Sequence, residues 1–140
     1  MYSIKTSESF DAAHFLSGYQ GKCSNLHGHR WKVEVTICCE QLCENEQHRG
    51  MCTDFSILKN DLKSLTDVFD HKFMYEKGTL KPATIAALGD EGFEMVPLDF
   101  RPTAENLAVY FYNEMKKKGY TVKNVDVYET PNNCASYSEQ

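Results

Sequence analysis

Residues 22–39, KCSNLHGHRWKVEVTICC, decide how this chain folds. From Trp31 onward the pattern alternates. Trp31, Val33, Val35 and Ile37 lie on one face, and Lys32, Glu34 and Thr36 lie on the other, which is the signature of a half-buried strand. In extended chain, side chains two apart share a face, so His27 and His29 project to the same side. Upstream, residues 2–14 (YSIKTSESFDAAH) carry a rough period of two through Ile4, Thr6, Glu8 and Phe10 and read as a second strand. The glycine-containing loop between the two strands predicts an antiparallel hairpin. That hairpin returns His27 and His29 to the sheet edge where His14 ends the first strand.

The remainder of the chain follows from this hairpin. After a polar connection, CENEQHRG, the apolar residues Phe55, Leu58, Leu62, Leu65 and Phe69 recur at spacings of three and four. They mark a helical stripe, with Asp54 or Ser56 as its cap. RPTAENLAVYFYNEMKKKG is the best-signalled helix. Thr103 sits at its cap, Leu107, Phe111 and Met115 form the stripe, Lys116 to Lys118 complement the C-terminal dipole, and Gly119 stops it. YTVKNVDVYET then reads as a strand, PNN as a turn and CASY as a last short strand. Between the helices, residues 76–100 are punctuated by Gly78, Pro82, Gly89, Gly92 and Pro97. They read as an insertion whose structure the pattern does not assign, with a short helix near ATIAAL. The expected order is strand, strand, helix, helix, strand, strand. This is an α+β fold with an antiparallel sheet and two helices on one face, in a single domain spanning residues 1–140.

Composition narrows the function classes. Net charge is −5, which argues against nucleic-acid binding, because phosphate neutralisation wants a basic face. The N-terminus, MYSIKTSESF, lacks the charged-then-apolar pattern of a signal peptide, and no apolar run has transmembrane length. A cytoplasmic protein without a membrane partner is therefore expected. There the six cysteines stay reduced, and Cys38, Cys43, Cys52 and Cys134 read as small buried apolar residues rather than a disulfide framework.

Three of the five histidines, His14, His27 and His29, fall within sixteen residues at paired-strand positions. Three imidazoles form a natural set for Zn²⁺ and leave a fourth position open for water or substrate. Cys23 can be a fourth ligand that closes the site, or a thiolate standing off the metal; spacing does not decide between them. In FDHK, Asp70 can orient His71 as a proton relay, although taken alone a histidine interacting with a helix C-terminus explains the pair. Glu129, in VYETPNN, can accept paired hydrogen bonds from an amidine-like ring edge, although taken alone it is a strand-end charge.

Taken in order, FDAAH, C-x3-HGH, DF-x2-LK, FDHK, PTAEN and YET resemble the 6-pyruvoyl-tetrahydropterin synthase and 6-carboxy-tetrahydropterin synthase family. The match covers about residues 2–75 and 97–137. The resemblance implies the tunnelling fold (T-fold), in which three subunits join sheets into a barrel and two trimers stack into a hexamer, a homo-oligomer with active sites between subunits. It implies that His14, His27 and His29 bind zinc, that Cys23 is a catalytic base rather than a ligand, and that Asp70 and His71 complete the proton-transfer set. Glu129 is implied to anchor the pterin, and Thr103 and Glu105 to line its pocket. The implied substrate is 7,8-dihydroneopterin triphosphate.

Pyruvoyl members place five residues between the cysteine and HGH. The three in CSNLHGH match the carboxy type, which also releases acetaldehyde and feeds the queuosine route. The alternatives are the pyruvoyl activity and, from another class, an inactive zinc- and pterin-binding module. Lys22, Arg30, Lys32, Lys72 and Arg101 lie near these motifs as candidate cations for the triphosphate.

Overall fold

The computed structural model describes residues 1–139. Its first two strands, β1 (Tyr2–His14) and β2 (His27–Cys39), pair antiparallel without interruption from Tyr2 opposite Cys39 to His14 opposite His27. The alternation in β2 is expressed as burial: Trp31, Val33, Val35 and Ile37 are all buried, and Phe10 of β1 stacks on Trp31 with ring centroids 6.1 Å apart.

Two helices cover this face. α1 (Phe55–Thr66) is capped by Asp54, whose carboxylate accepts from the Ser56 backbone N–H at 2.8 Å, and it buries Leu58, Leu62 and Leu65. Phe55 itself is exposed, and Phe69 is buried beyond the helix end. α3 (Ala104–Lys117) begins at Thr103, buries Leu107, Phe111 and Met115, and is followed by Gly119 at φ 99°, a left-handed backbone that glycine adopts without steric cost. Phe10, Phe69 and Phe111 meet with centroid separations of 5.6–6.1 Å and tie both helices to the hairpin. Because the Thr103 hydroxyl accepts from the Asn106 N–H, Thr103→Ala is expected to lower stability by about 1 kcal/mol and Thr103→Ser to retain it, as read by urea unfolding.

The T-fold class holds: a mostly antiparallel curled sheet backed by helices. The element order is richer than the sequence pattern predicts. β3 (Lys72–Glu76) and β4 (Met95–Leu98) follow α1, β5 (Val122–Thr130) and β6 (Asn133–Tyr137) follow α3, and the sheet order is β4-β3-β1-β2-β5-β6. β3 pairs parallel to β1, and β4 parallel to β3, so this half of the sheet departs from the expected antiparallel pairing. A parallel pair needs a crossover rather than a hairpin, and that is what residues 77–94 provide. The expected short helix is present there as α2 (Pro82–Asp90), with Pro82 in its first turn and no residue fully buried. β5 and β6 complete the antiparallel half.

The cysteines depart furthest from expectation. Cys39 and Cys52 form a disulfide, their Cα atoms 5.9 Å apart, because the loop between β2 and α1 returns the start of α1 to the end of β2. Cys134 is exposed, and Cys38 and Cys43 are only half-buried, so none of the four cysteines read as core residues lies in the core. No helix among the described residues is long and apolar enough to cross a membrane.

Candidate metal centre and proton-relay site

The core stripe of the hairpin runs past the helices, and the three histidines are its last members. His14 sits directly opposite His27, and His29 opposite Ala12, all on the face that carries Phe10 and Trp31. Their rings meet with centroids 4.6, 4.9 and 5.2 Å apart, and the Trp31 indole forms the floor, 5.0 Å from His14 and 5.6 Å from His29. All three ligand atoms lie within 4.8 Å of one another.

The second nitrogens decide the chemistry. His14 Nδ1 lies 2.8 Å from the Pro102 carbonyl, and His27 Nδ1 lies 2.6 Å from the Asn25 carbonyl. A carbonyl only accepts, so each Nδ1 carries a proton, and in the neutral ring that tautomer leaves Nε2 bare. Those two Nε2 atoms face each other at 3.1 Å. His29 Nε2 is buried and has no hydrogen-bond partner; Glu129 Oε1 is 3.4 Å away, but without hydrogen-bond geometry. Converging lone pairs held by backbone carbonyls behind them fit a divalent metal ion of the zinc type, and the carbonyl bonds set the tautomer such a ligand needs.

Burial pushes the pKa of His14 down to about 4 from an ordinary 6.5, and the neighbouring His27 and His29 add to that, against the raising effect of the Pro102 carbonyl. The residue therefore stays neutral at physiological pH. The sign for stability follows. Below pH 6.5 the unfolded chain takes up a proton that folded, metal-free protein refuses, so the stability present above pH 6.5 is lost as pH falls toward 4. We expect this loss to reach roughly 3 kcal/mol from His14, read by denaturation of chelator-treated protein across that range. Burial lowers the pKa of His29 as well, with the same sign.

Asp70 and His71 follow α1. Side chains of adjacent residues seldom pair, yet here Asp70 Oδ2 lies 3.0 Å from His71 Nδ1. The left-handed backbone of His71, φ 60°, makes the pairing possible. This geometry replaces the helix-dipole explanation, since the imidazole's partner is the carboxylate. Asp11, which sequence reasoning did not single out, locks the arrangement: its N–H donates to Asp70 Oδ1 at 2.9 Å and its carbonyl accepts from the His71 N–H at 2.6 Å. The Asp11 N–H, then His71, hold the Asp70 carboxyl below its ordinary pKa. Only the parallel docking of β3 against β1 creates these contacts, so no local pattern could have revealed Asp11.

Cys23 lies half-buried in a single 3-10 turn (Lys22–Ser24), and its carbonyl accepts from the Leu16 N–H at 2.9 Å, pinning the loop to the end of β1. Glu129 and His29 line one cleft of about 510 Å³, with Arg30 and Lys32. His29 and Arg30 also line the adjoining one of about 450 Å³, with His71 and Lys72. Thr103 caps α3 and Glu105 is exposed in its first turn; neither lines these two clefts. Among the candidate cations, Arg30 pairs with Asp11 at 3.0 Å, Lys72 with Glu94 at 3.5 Å, and Arg101 donates to the Ser17 carbonyl at 2.8 Å. Lys32 lies over the Tyr128 ring, and Lys22 is exposed.

Three imidazoles at the open end of a sheet, beside a carboxylate-oriented histidine and a cleft lined by a glutamate, define a site able to hold a metal and move protons on a small molecule. The family model for 6-pyruvoyl tetrahydropterin synthase matches residues 3–140, and the chain belongs to that family of tetrahydropterin synthases. It is 34% identical over 142 residues to a 6-carboxy-5,6,7,8-tetrahydropterin synthase of Haemophilus influenzae, covering 99% of this chain and 100% of that one. It is 33% identical to the Aquifex aeolicus protein of the same name, covering 85% and 77%. An uncharacterised Wolinella succinogenes protein shares the fold with a TM-score of 0.82 at 21% identity, over 99% of this chain and 98% of that one. The 6-pyruvoyl tetrahydropterin synthase of Caenorhabditis elegans does so with a TM-score of 0.70 at 23% identity, over 99% and 96%.

Proposed function

We propose that this protein is a zinc-dependent lyase that converts 7,8-dihydroneopterin triphosphate to 6-carboxy-5,6,7,8-tetrahydropterin with release of acetaldehyde and triphosphate, a step toward queuosine. The observation that carries this reading is the set of three convergent imidazoles beside an Asp-oriented histidine. The carboxy-type names of its relatives and the C-x3-HGH spacing support the product. His14, His27 and His29 would hold the zinc. When bound, zinc would supply Lewis acidity that makes a carbon–hydrogen bond of the substrate side chain easier to break.

The chain's own residues then divide the work. Glu129 accepts hydrogen bonds from the amidine edge of the pterin and sets its register beside His29. The Cys23 thiolate takes the side-chain proton. Asp70 holds the His71 Nδ1–H, leaving Nε2 to return a proton elsewhere along the side chain. Arg30, Lys32 and Lys72, around the two clefts, offer positive charge to the triphosphate. The sheet has β4 at one edge and β6 at the other, which suits subunits that join sheets into a trimer and stack as a hexamer. In that assembly active sites form between subunits, with Thr103 and Glu105 lining the pterin pocket, and the enzyme works in the cytoplasm.

Incubating zinc-loaded protein with 7,8-dihydroneopterin triphosphate is expected to yield the 6-carboxy product by mass, with acetaldehyde in equal amount. A pyruvoyl product without acetaldehyde would move the chain to the other branch, and no consumption would leave a zinc- and pterin-binding module. Asp70→Asn removes the charge that orients His71 and is expected to lower kcat by roughly 10–100-fold with metal content unchanged, as measured by steady-state kinetics and metal analysis.

A further inference from the structure

The loop between β2 and α1 carries a second set of metal-ligating residues, remote in sequence from the histidine cluster. Residues 39–52, CEQLCENEQHRGMC, read as C-x3-C-x4-H-x3-C. Short spacings between cysteines, followed by a histidine a few residues on, are those of closed tetrahedral zinc sites. The fold draws the three cysteines together. Cys39 ends β2, Cys52 precedes α1, and their sulfurs are in contact as a disulfide. Cys43 joins them through its backbone: its N–H donates to the Met51 carbonyl at 2.8 Å, and its carbonyl accepts from the Gly50 N–H at 3.0 Å. The Cys43 thiol then lies 3.9 Å from the Cys52 carbonyl oxygen. His48 is held in the same turn, its carbonyl bonded to the Met51 N–H at 2.9 Å and its own N–H to the Asn45 side chain at 2.9 Å. It is half-buried.

We propose that, with its thiols reduced, this loop binds a second zinc ion through Cys39, Cys43, Cys52 and His48. Four protein ligands leave no open position, so this site is structural. It clasps the loop to the start of α1, beside an apolar cleft of about 420 Å³ lined by Tyr2, Leu42, Met51 and Phe55. The metal and the disulfide are alternative states of the same sulfurs. A dithiol reagent opens the Cys39–Cys52 bond by exchange. Two electrons and two protons pass from the reagent to the protein sulfurs, and the reagent leaves as its own disulfide. The freed thiols lose their protons on binding the metal.

The test uses the reduced chain, Zn²⁺ for stoichiometry and Co²⁺ as a spectroscopic stand-in. Metal content is expected to fall from about two ions per chain to about one in Cys43→Ser and in Cys52→Ser. The near-ultraviolet thiolate-to-cobalt charge-transfer band is expected to vanish in both variants, and to persist in Cys23→Ala and in the surface control Cys134→Ser. His48→Ala is expected to keep the band and weaken Co²⁺ binding at least about 10-fold. A band that survives Cys43→Ser but is lost in Cys23→Ala would assign the thiolate to the histidine cluster and overturn the proposal. One metal ion per chain in the reduced parent, with no band, would overturn it as well, leaving the loop closed by its disulfide alone. Unchanged affinity in His48→Ala would overturn the fourth ligand. Circular dichroism of each variant separates loss of a ligand from loss of fold.

Discussion

Cys23→Ala is expected to lower kcat by about 10²–10⁴-fold while zinc content and pterin affinity stay at parent levels. The reason lies in the division of roles. His14, His27 and His29 already converge on one point, and a metal held by three imidazoles keeps a position for substrate only if Cys23 stands off it. The Cys23 turn is pinned by its own backbone, Leu16 N–H to Cys23 O and Ser24 N–H to Gly21 O at 3.1 Å, so removing the thiol leaves the loop in place. Single-turnover kinetics with metal analysis on the same samples tests this. If zinc affinity falls together with turnover, Cys23 is a ligand and the base must be sought elsewhere.

His27→Ala is expected to abolish stable zinc retention on dialysis and to reduce turnover roughly 10³-fold or more, because the Lewis-acid contribution of several kcal/mol is lost with the ion. His27 is the cleanest ligand to remove. It is half-exposed at the start of β2, whereas His14 is fully buried against Trp31 and its truncation would open a cavity in the core. The fold of His27→Ala should therefore persist, with near-parental circular dichroism in metal-free protein. Metal-replete activity in this variant would show that the cluster is not the catalytic metal site.

The hairpin was legible because β-strands alternate with a period of two, and that period runs unbroken from Trp31 to Ile37. The same rule placed His27 and His29 on one side, and the uninterrupted register put His14 opposite them. Both helices announced themselves by spacing and caps, since an amphipathic helix and its N-cap are local features. Within residues 76–100 only the short helix was legible, because β4 is a short strand defined only by its parallel neighbour β3, itself held by β1 far upstream. Spacing alone left the pairing of Asp70 with His71 open against a helix-terminus explanation, because it depends on the left-handed backbone at His71 and on Asp11, 59 residues from Asp70.

By itself, then, the sequence determined the paired strands, the two packed helices and the identity of the three candidate ligands, since each follows from periodicity or from spacing along one chain segment. Tertiary structure alone decided the tautomers of His14 and His27, the orientation of His71, the cleft shared by His29 and Glu129, and the gathering of Cys39, Cys43 and Cys52. Each of these rests on a backbone group or strand brought from a separate stretch of chain, and contacts of that kind leave no periodic trace in the sequence.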